Sequence, residues 1–212
     1  METRQVGQKV LLVCGILSSV LWIAADIIAS TLLEGYSYFH QTPSELSAIG
    51  TPTKTLLVQT GVAYSILLTA FGFGVWLFTH RKHSIRISAG LLIAYGIISF
   101  AWFFVPMHPR GTEFTLTDTL HVGMAAVTVL LVLLIIGFGA NAFGKRFRIY
   151  SIVTLLMLVV FGGLTFLQAD RVTADLPTPW MGIYERINVY GYMLWVAVLA
   201  IGLLRSRSGS EQ

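Results

Sequence analysis

Residues 10–33 read VLLVCGILSSVLWIAADIIASTLL and hold a single charged side chain, Asp26. A helix that crosses a bilayer needs about 20 mostly apolar residues, and this run has that length. Its backbone groups have no water to bond in hydrocarbon, so the run is predicted to be helical. It is longer than the apolar core of a cleavable signal, which is about 7–15 residues. We therefore expect a retained first membrane span.

Five more runs of the same kind follow along the chain. They are predicted at 56–79, 87–105, 120–143, 149–168 and 183–204. The whole chain of 212 residues is 55% hydrophobic and 11% charged, with a mean hydropathy of +0.75. Soluble domains carry about 25% charged residues, so soluble, disordered and collagen-like classes are excluded. We predict an all-α polytopic transmembrane bundle of six helices, forming a single domain over 1–212 with the lipid bilayer as its partner.

The basic residues predict which ends of the spans face the cytoplasm. Ten of the 14 Lys and Arg residues fall at the termini and in the connections after the second and fourth predicted spans. Cytoplasmic loops carry such an excess, so both termini are predicted to be cytoplasmic in a cell membrane. The net charge of +4 is explained in the same way, and no nucleic-acid partner is predicted.

The predicted outer connections carry helix-start signals. Thr42-Pro-Ser-Glu45 has an N-cap residue, a proline at the first helical position and a capping-box acid. A short helix from Pro43 to Ile49 is expected, ended by Gly50. Aromatic residues precede it, so we predict that it lies at the membrane interface. Thr115-Leu-Thr-Asp118 is a second capping box, which is expected to open the fourth span.

Ionisable side chains are rare and costly within membrane spans, so they are candidates for function. Those near the outer ends are predicted to line an outward-facing polar cavity: Asp26, Glu45, Arg110, Asp118, His121, Glu185 and Arg186. Three roles stay open for Asp26. It could form a structural ion pair with Arg110, Arg186 or His121, contact a ligand or a proton, or remain a lone protonated acid.

A metal site is a further hypothesis for this end of the molecule. Asp118 and His121 are three residues apart, which places both on one face of a helix. With His108 they would offer a carboxylate and two imidazoles to a divalent cation such as zinc. The alternative is that Asp118 caps its helix and His121 forms a hydrogen bond to a neighbouring carboxylate.

Residues 36–52, YSYFHQTPSELSAIGTP, resemble the first-loop signature of domain-of-unknown-function family 998, a family of six-helix prokaryotic membrane proteins. Pro106-Met-His-Pro-Arg-Gly111, followed by Asp118-x-x-His121, is similar to its second outer segment, and 182–187 to its third. The resemblance covers nearly the whole chain. It implies the same membrane architecture and outer motifs that belong together. The family brings no established activity, so it implies no catalytic residue.

Three functions are consistent with these patterns. The first is binding or transport of a small polar or lipid-like ligand in the outer cavity. The second is an intramembrane hydrolase or transferase acting on lipid, with a metal activating water. The third is a structural or accessory membrane subunit. Whether the chain is an enzyme, and whether it forms homo-oligomers, is not decided by the sequence.

Overall fold

The computed structural model describes residues 2–78 and 83–208. Within these ranges all regular secondary structure is helical, and six helices are long and apolar enough to cross a membrane. The α-helices are α1 (Glu2–Leu32), α2 (Lys54–Phe78), α3 (His83–Ile98), α4 (Leu116–Gly139), α5 (Lys145–Phe166), the short α6 (Ala169–Thr173) and α7 (Met181–Ser208). The predicted all-α fold with six spans is confirmed.

The helix ends lie within a few residues of the predicted span ends, with two differences. The helix α1 starts at Glu2 instead of residue 10, because polar residues can continue a helix beyond the hydrocarbon. The third span ends as a 3₁₀-helix, Ser99–Phe104. Residue 79, the predicted end of the second span, lies outside the described residues, as do Arg81 and Lys82. The single-domain prediction for 1–212 stays a prediction.

The six long helices form a ring. The helix α1 packs against α2 and α7, α3 lies between α2 and α4, and α5 packs against α7. The pair α4 and α5 closes the ring with the lightest packing of these neighbours. We call the end with connections 33–53, 99–115 and 167–180 the loop end, and the opposite end the basic end. Their placement outside and in the cytoplasm stays a prediction.

The ring is tightly packed in its basic-end half. Trp195 of α7 is fully buried there, and its indole Nε1 donates a hydrogen bond to Ser151 Oγ of α5 at 2.9 Å. Gly139 of α4 lies so close that a Cβ there would be 2.5 Å from the Trp195 ring. Ser88 Oγ of α3 donates to the Ile135 carbonyl of α4 at 2.8 Å. Polar contacts and close glycine packing thus join four helices in this half.

In the loop-end half, α4 and α5 bury fewer residues than in the basic-end half. No residue of α4 from 119 to 131 is buried, and none of α5 from 159 to 166 is buried; both stretches are fully described. In the basic-end half the same two helices bury residues at every turn. The helices α4 and α5 are therefore less covered by other parts of the protein in the loop-end half of the ring than in the basic-end half.

Candidate functional site

An ion pair buried near the loop end joins the first and last spans. Arg186 of α7 donates from Nε to Asp26 Oδ2 at 2.8 Å and from Nη2 to Asp26 Oδ1 at 3.0 Å. The Asp26 side chain is fully buried and that of Arg186 is 3% exposed. The two-pronged geometry is the strong form of a carboxylate–guanidinium contact. The structure thus pairs Asp26 with one of its three predicted partners.

The remaining donors of Arg186 bind the first connection. Its Nη1 donates to the carbonyl of Tyr38 at 2.7 Å and to that of Gln41 at 3.1 Å. Its Nη2 donates to the Tyr36 hydroxyl at 2.7 Å, and the guanidinium carbon lies 3.7 Å from the Tyr38 ring centre. Burial raises the pKa of Tyr36 above its ordinary value, so its hydroxyl stays neutral. Arg186 therefore fixes the loop 36–42 on the bundle.

Two tyrosines complete this cluster. The Tyr190 hydroxyl, one turn after Arg186 in α7, donates to Asp26 Oδ2. The Tyr38 and Tyr190 hydroxyls lie 3.1 Å apart. Gly182 allows the close approach, since a Cβ there would be 2.3 Å from the Gln41 carbonyl. The carboxylate and the guanidinium are thus both fully bonded, which is the arrangement expected of a structural pair.

A second ion pair links all three long connections. Arg110 donates from Nη2 to Glu45 Oε1 at 3.0 Å and from Nε to Glu45 Oε2. The same Nη2 donates to Thr178 Oγ1 at 2.7 Å, and Thr178 donates in turn to the His40 carbonyl. Glu45 also accepts the Thr42 backbone N–H at 2.9 Å, as the capping box predicts. The 3₁₀-helix Pro43–Ser47 follows it, and its interfacial location stays a prediction.

The third acid–base pair is at the start of α4. Asp118 Oδ2 lies 2.9 Å from His108 Nδ1, and its Oδ1 accepts the His108 backbone N–H at 2.8 Å. The Thr115 backbone N–H and hydroxyl also donate to Asp118, so the predicted capping box is present. Asp118 holds the second connection against its own helix.

His121 lies apart from that pair. Its Nδ1 is 2.8 Å from the Val105 carbonyl, and its ring centre is 4.8 Å from that of Trp102. Among the residues that the structure describes, no group of three His, Cys, Asp or Glu is arranged to hold a metal ion. The structure brings His108 and Asp118 together and leaves His121 bonded elsewhere. The metal site at these three residues stays a prediction.

Glu185 differs from the other acids at the loop end. Within the described chain its one hydrogen bond comes from Ser44 Oγ at 3.5 Å, and it forms no ion pair. It is partly buried, whereas the other unpaired acids of the described loop end are exposed on the surface: Glu34, Glu113, Asp170 and Asp175. The neighbouring Arg186 binds Asp26 and, within the described residues, forms no hydrogen bond or ion pair with the Glu185 carboxylate.

Further polar atoms on the same face of α7 also lack partners. Asn188 Oδ1 and the Tyr192 hydroxyl are buried without a hydrogen bond within the described residues, and so is Thr128 Oγ1 of α4. Residues 185, 188 and 192 recur at helical spacing, so they share one face. Asn188 lies beside Gly162 of α5, and the Tyr192 ring packs against Tyr95 of α3. This face of α7 points into the ring.

Sequence reasoning missed several residues of the site. The Tyr36 hydroxyl and the Tyr38 carbonyl accept hydrogen bonds from Arg186, and the Thr178 hydroxyl accepts one from Arg110. In the sequence these three are ordinary loop residues. Tyr190 had a usable signal, because it lies four residues after Arg186 and so on the same helix face. Of the predicted site residues, the structure pairs Asp26 with Arg186 and Glu45 with Arg110, while Glu185 is close to the first connection.

Comparison with known proteins identifies the family. A family model described as "Protein of unknown function (DUF998)" matches residues 16–202. The match includes all six long helices in whole or large part, and the chain belongs to the DUF998 family. Neither the curated proteins nor the solved structures give a match.

Proposed function

We propose that this member of the DUF998 family binds an amphiphile with a primary-amine headgroup, such as phosphatidylethanolamine, in the loop-end half of its bundle. The observation that carries the proposal is the state of Glu185. It is a partly buried carboxylate without an ion pair among the described residues, in a region where every other buried acid is paired. A carboxylate at membrane depth is costly unless a proton or a cationic partner neutralises it, and we propose that the partner is a ligand amine.

The chemistry around Glu185 favours an amine. Ser44 Oγ lies 3.5 Å from the Glu185 carboxylate, and Asn188 Oδ1 is about one helical turn away in α7; both oxygens can accept hydrogen bonds. A primary ammonium has three donors and a positive charge, so it complements the carboxylate and these two oxygens. The nearest cation, Arg186, is already fully bonded to Asp26 and the first connection.

The exposed surface of α4 and α5 favours a lipid-like ligand over a soluble one. In the loop-end half these two helices carry exposed apolar side chains: Val122, Val127, Val129, Leu130, Val159, Val160 and Leu164. Such a surface in a membrane span suits contact with acyl chains. A lipid could insert its headgroup toward Glu185 from the bilayer and keep its chains in hydrocarbon.

The interior beneath this region supports binding over transport. Tyr64, Tyr95, Tyr192 and Trp195 are each at most 8% exposed and fill the centre of the ring. The rings of Tyr95 and Tyr192 form an edge-to-face contact, with their centres 5.7 Å apart. A ligand at Glu185 would therefore rest on a packed aromatic layer.

Experiments can also test the other two functions suggested by the sequence, a lipid hydrolase or transferase and an accessory membrane subunit. The hydrolase or transferase requires a metal at His108, Asp118 and His121, and metal analysis tests it. The accessory-subunit function is the one favoured if purified protein binds no lipid selectively.

Native mass spectrometry in detergent tests the proposed function on wild-type protein. Phosphatidylethanolamine, phosphatidylcholine and phosphatidylglycerol with identical acyl chains serve as the probes. We expect phosphatidylethanolamine to bind most tightly, because phosphatidylcholine has no N–H donors and phosphatidylglycerol has no cation. Equal affinity for all three lipids would overturn the proposal.

A further inference from the structure

We propose a second lipid site, for an anionic phospholipid such as phosphatidylglycerol, at the basic-end corner between α2 and α3. A cavity of about 350 Å³ opens there, lined by Trp76, His83, Arg86, Ile87 and Gly90. It lies at the end of the bundle opposite Glu185. The inference therefore does not rest on the proposed function.

Arg86 supplies the charge for this site. Its guanidinium carbon lies 4.7 Å from the centre of the Trp76 ring, and its side chain is exposed. Within residues 2–78 and 83–208 it has neither a carboxylate partner nor a hydrogen bond. A guanidinium that stacks on an aromatic face keeps its N–H edge free, and this edge matches the geometry of a phosphate group.

The surrounding sequence adds to the positive charge. Residues 80–86 read HRKHSIR, with three Lys or Arg and no acid. Of residues 80–86, His83 and Arg86 line the cavity. Clusters of basic residues next to a span attract anionic lipids, at about 1 kcal/mol for each Lys or Arg. The charge of Arg86, in a stretch of sequence rich in basic residues, thus complements an anionic headgroup.

The walls of the cavity indicate a lipid and not a soluble anion. Phe73 and Trp76 lie on one face of α2 and are 48% and 39% exposed, so this face meets the acyl region of the bilayer. Ile87 and Gly90 of α3 form the other wall. At Gly90 the nearest atom to an added Cβ would be in the Trp76 ring, at 3.5 Å, so a larger side chain there would fill the cavity.

Native mass spectrometry with phosphatidylglycerol and phosphatidylethanolamine of identical chains tests this site. Arg86→Gln removes the charge, and Gly90→Leu fills the cavity while keeping the charge. We expect Arg86→Gln to weaken phosphatidylglycerol binding about tenfold, the amount expected for loss of a charge-assisted hydrogen bond. Gly90→Leu should also weaken it, because the leucine side chain would occupy the space of the lipid. Arg148→Gln is the matched control, because Arg148 is an exposed basic residue at the same end and away from the cavity.

Two results would overturn the inference. The first is an equal loss of phosphatidylglycerol affinity in Arg86→Gln and Arg148→Gln, which would mean that only general charge attraction acts. The second is competition by glycerol 1-phosphate at the concentration that suffices for the intact lipid, which would indicate a site for a soluble anion. Melting temperatures equal to that of wild type show that both cavity variants are folded, and unchanged phosphatidylethanolamine binding separates this site from that of Glu185.

Discussion

Arg186 of the last span donates two hydrogen bonds, 2.8 and 3.0 Å long, to Asp26 of the first span. The same guanidinium holds the backbone of the loop 36–42 through the carbonyls of Tyr38 and Gln41. The buried Arg186 side chain therefore connects α7 to Asp26 of α1, which is 160 residues away in sequence, and to the loop 36–42. Its role is to fix the loop-end architecture within which Glu185 is left unpaired.

Asp26→Asn should destabilise the protein strongly. The change removes the negative charge and leaves the Arg186 guanidinium buried without compensation, which typically costs about 3–5 kcal/mol. Thermal unfolding in detergent, followed by circular dichroism, measures the effect. The double variant Asp26→Leu, Arg186→Met removes both charges and should recover part of the loss. A melting temperature for Asp26→Asn equal to that of wild type would contradict a structural role for the pair.

Gly139→Ala should destabilise the bundle, whereas Gly137→Ala should not. A Cβ at residue 139 would be 2.5 Å from the buried Trp195 ring, but nothing lies within 4 Å of one at residue 137. Overpacking costs about 1–3 kcal/mol, and replacing glycine by alanine in an open helix gains about 0.5–1 kcal/mol. Thermal unfolding of both variants should therefore shift in opposite directions. A shift of equal size and sign would argue against the close α4–α7 contact.

The secondary structure was predictable because it depends on local sequence. Apolar runs of spanning length fixed the six long helices, and the Thr-x-x-acid pattern identified the two capping boxes, at Thr42 and at Thr115. Both signals come from neighbouring residues, and both are confirmed.

The pairing within the site depends on which helices are neighbours. Asp26 had three candidate partners in the sequence, and Arg186 binds it because α7 packs beside α1. The lack of an ion pair at Glu185 follows from the same packing, because Arg186 binds Asp26 and Arg110 binds Glu45. Such a property has no local sequence signal. The roles of Tyr36 and Tyr38 also come from the folded path of the first connection.

The predicted topology can be tested with single cysteines. The chain has one cysteine, Cys14, so Cys14→Ser gives a suitable background. A membrane-impermeant maleimide should label Thr112→Cys in intact cells, because this exposed residue is in a loop-end connection. Gly144→Cys, in a basic-end connection, should react only after permeabilisation. The reverse pattern would refute cytoplasmic termini.

Metal analysis tests the hypothesis of a divalent cation at His108, Asp118 and His121. To bind one, His121 Nδ1 must leave the Val105 carbonyl, or the ring must bind through Nε2. The hypothesis predicts one zinc per purified chain by elemental analysis, with loss of the zinc in His121→Ala. It also predicts that zinc raises the melting temperature of wild type alone. Equal metal content in the two proteins would reject it.

The most direct test of the central claim is the affinity of Glu185→Gln for phosphatidylethanolamine, measured together with its melting temperature. If Glu185 binds the headgroup amine, the variant should lose about tenfold to a hundredfold in affinity, the amount expected for a charged hydrogen bond. Its melting temperature should not fall, because no ion pair is broken among the described residues. Glu113→Gln, which changes an exposed acid at the same end, should retain full affinity. Unchanged affinity in Glu185→Gln would contradict the claim.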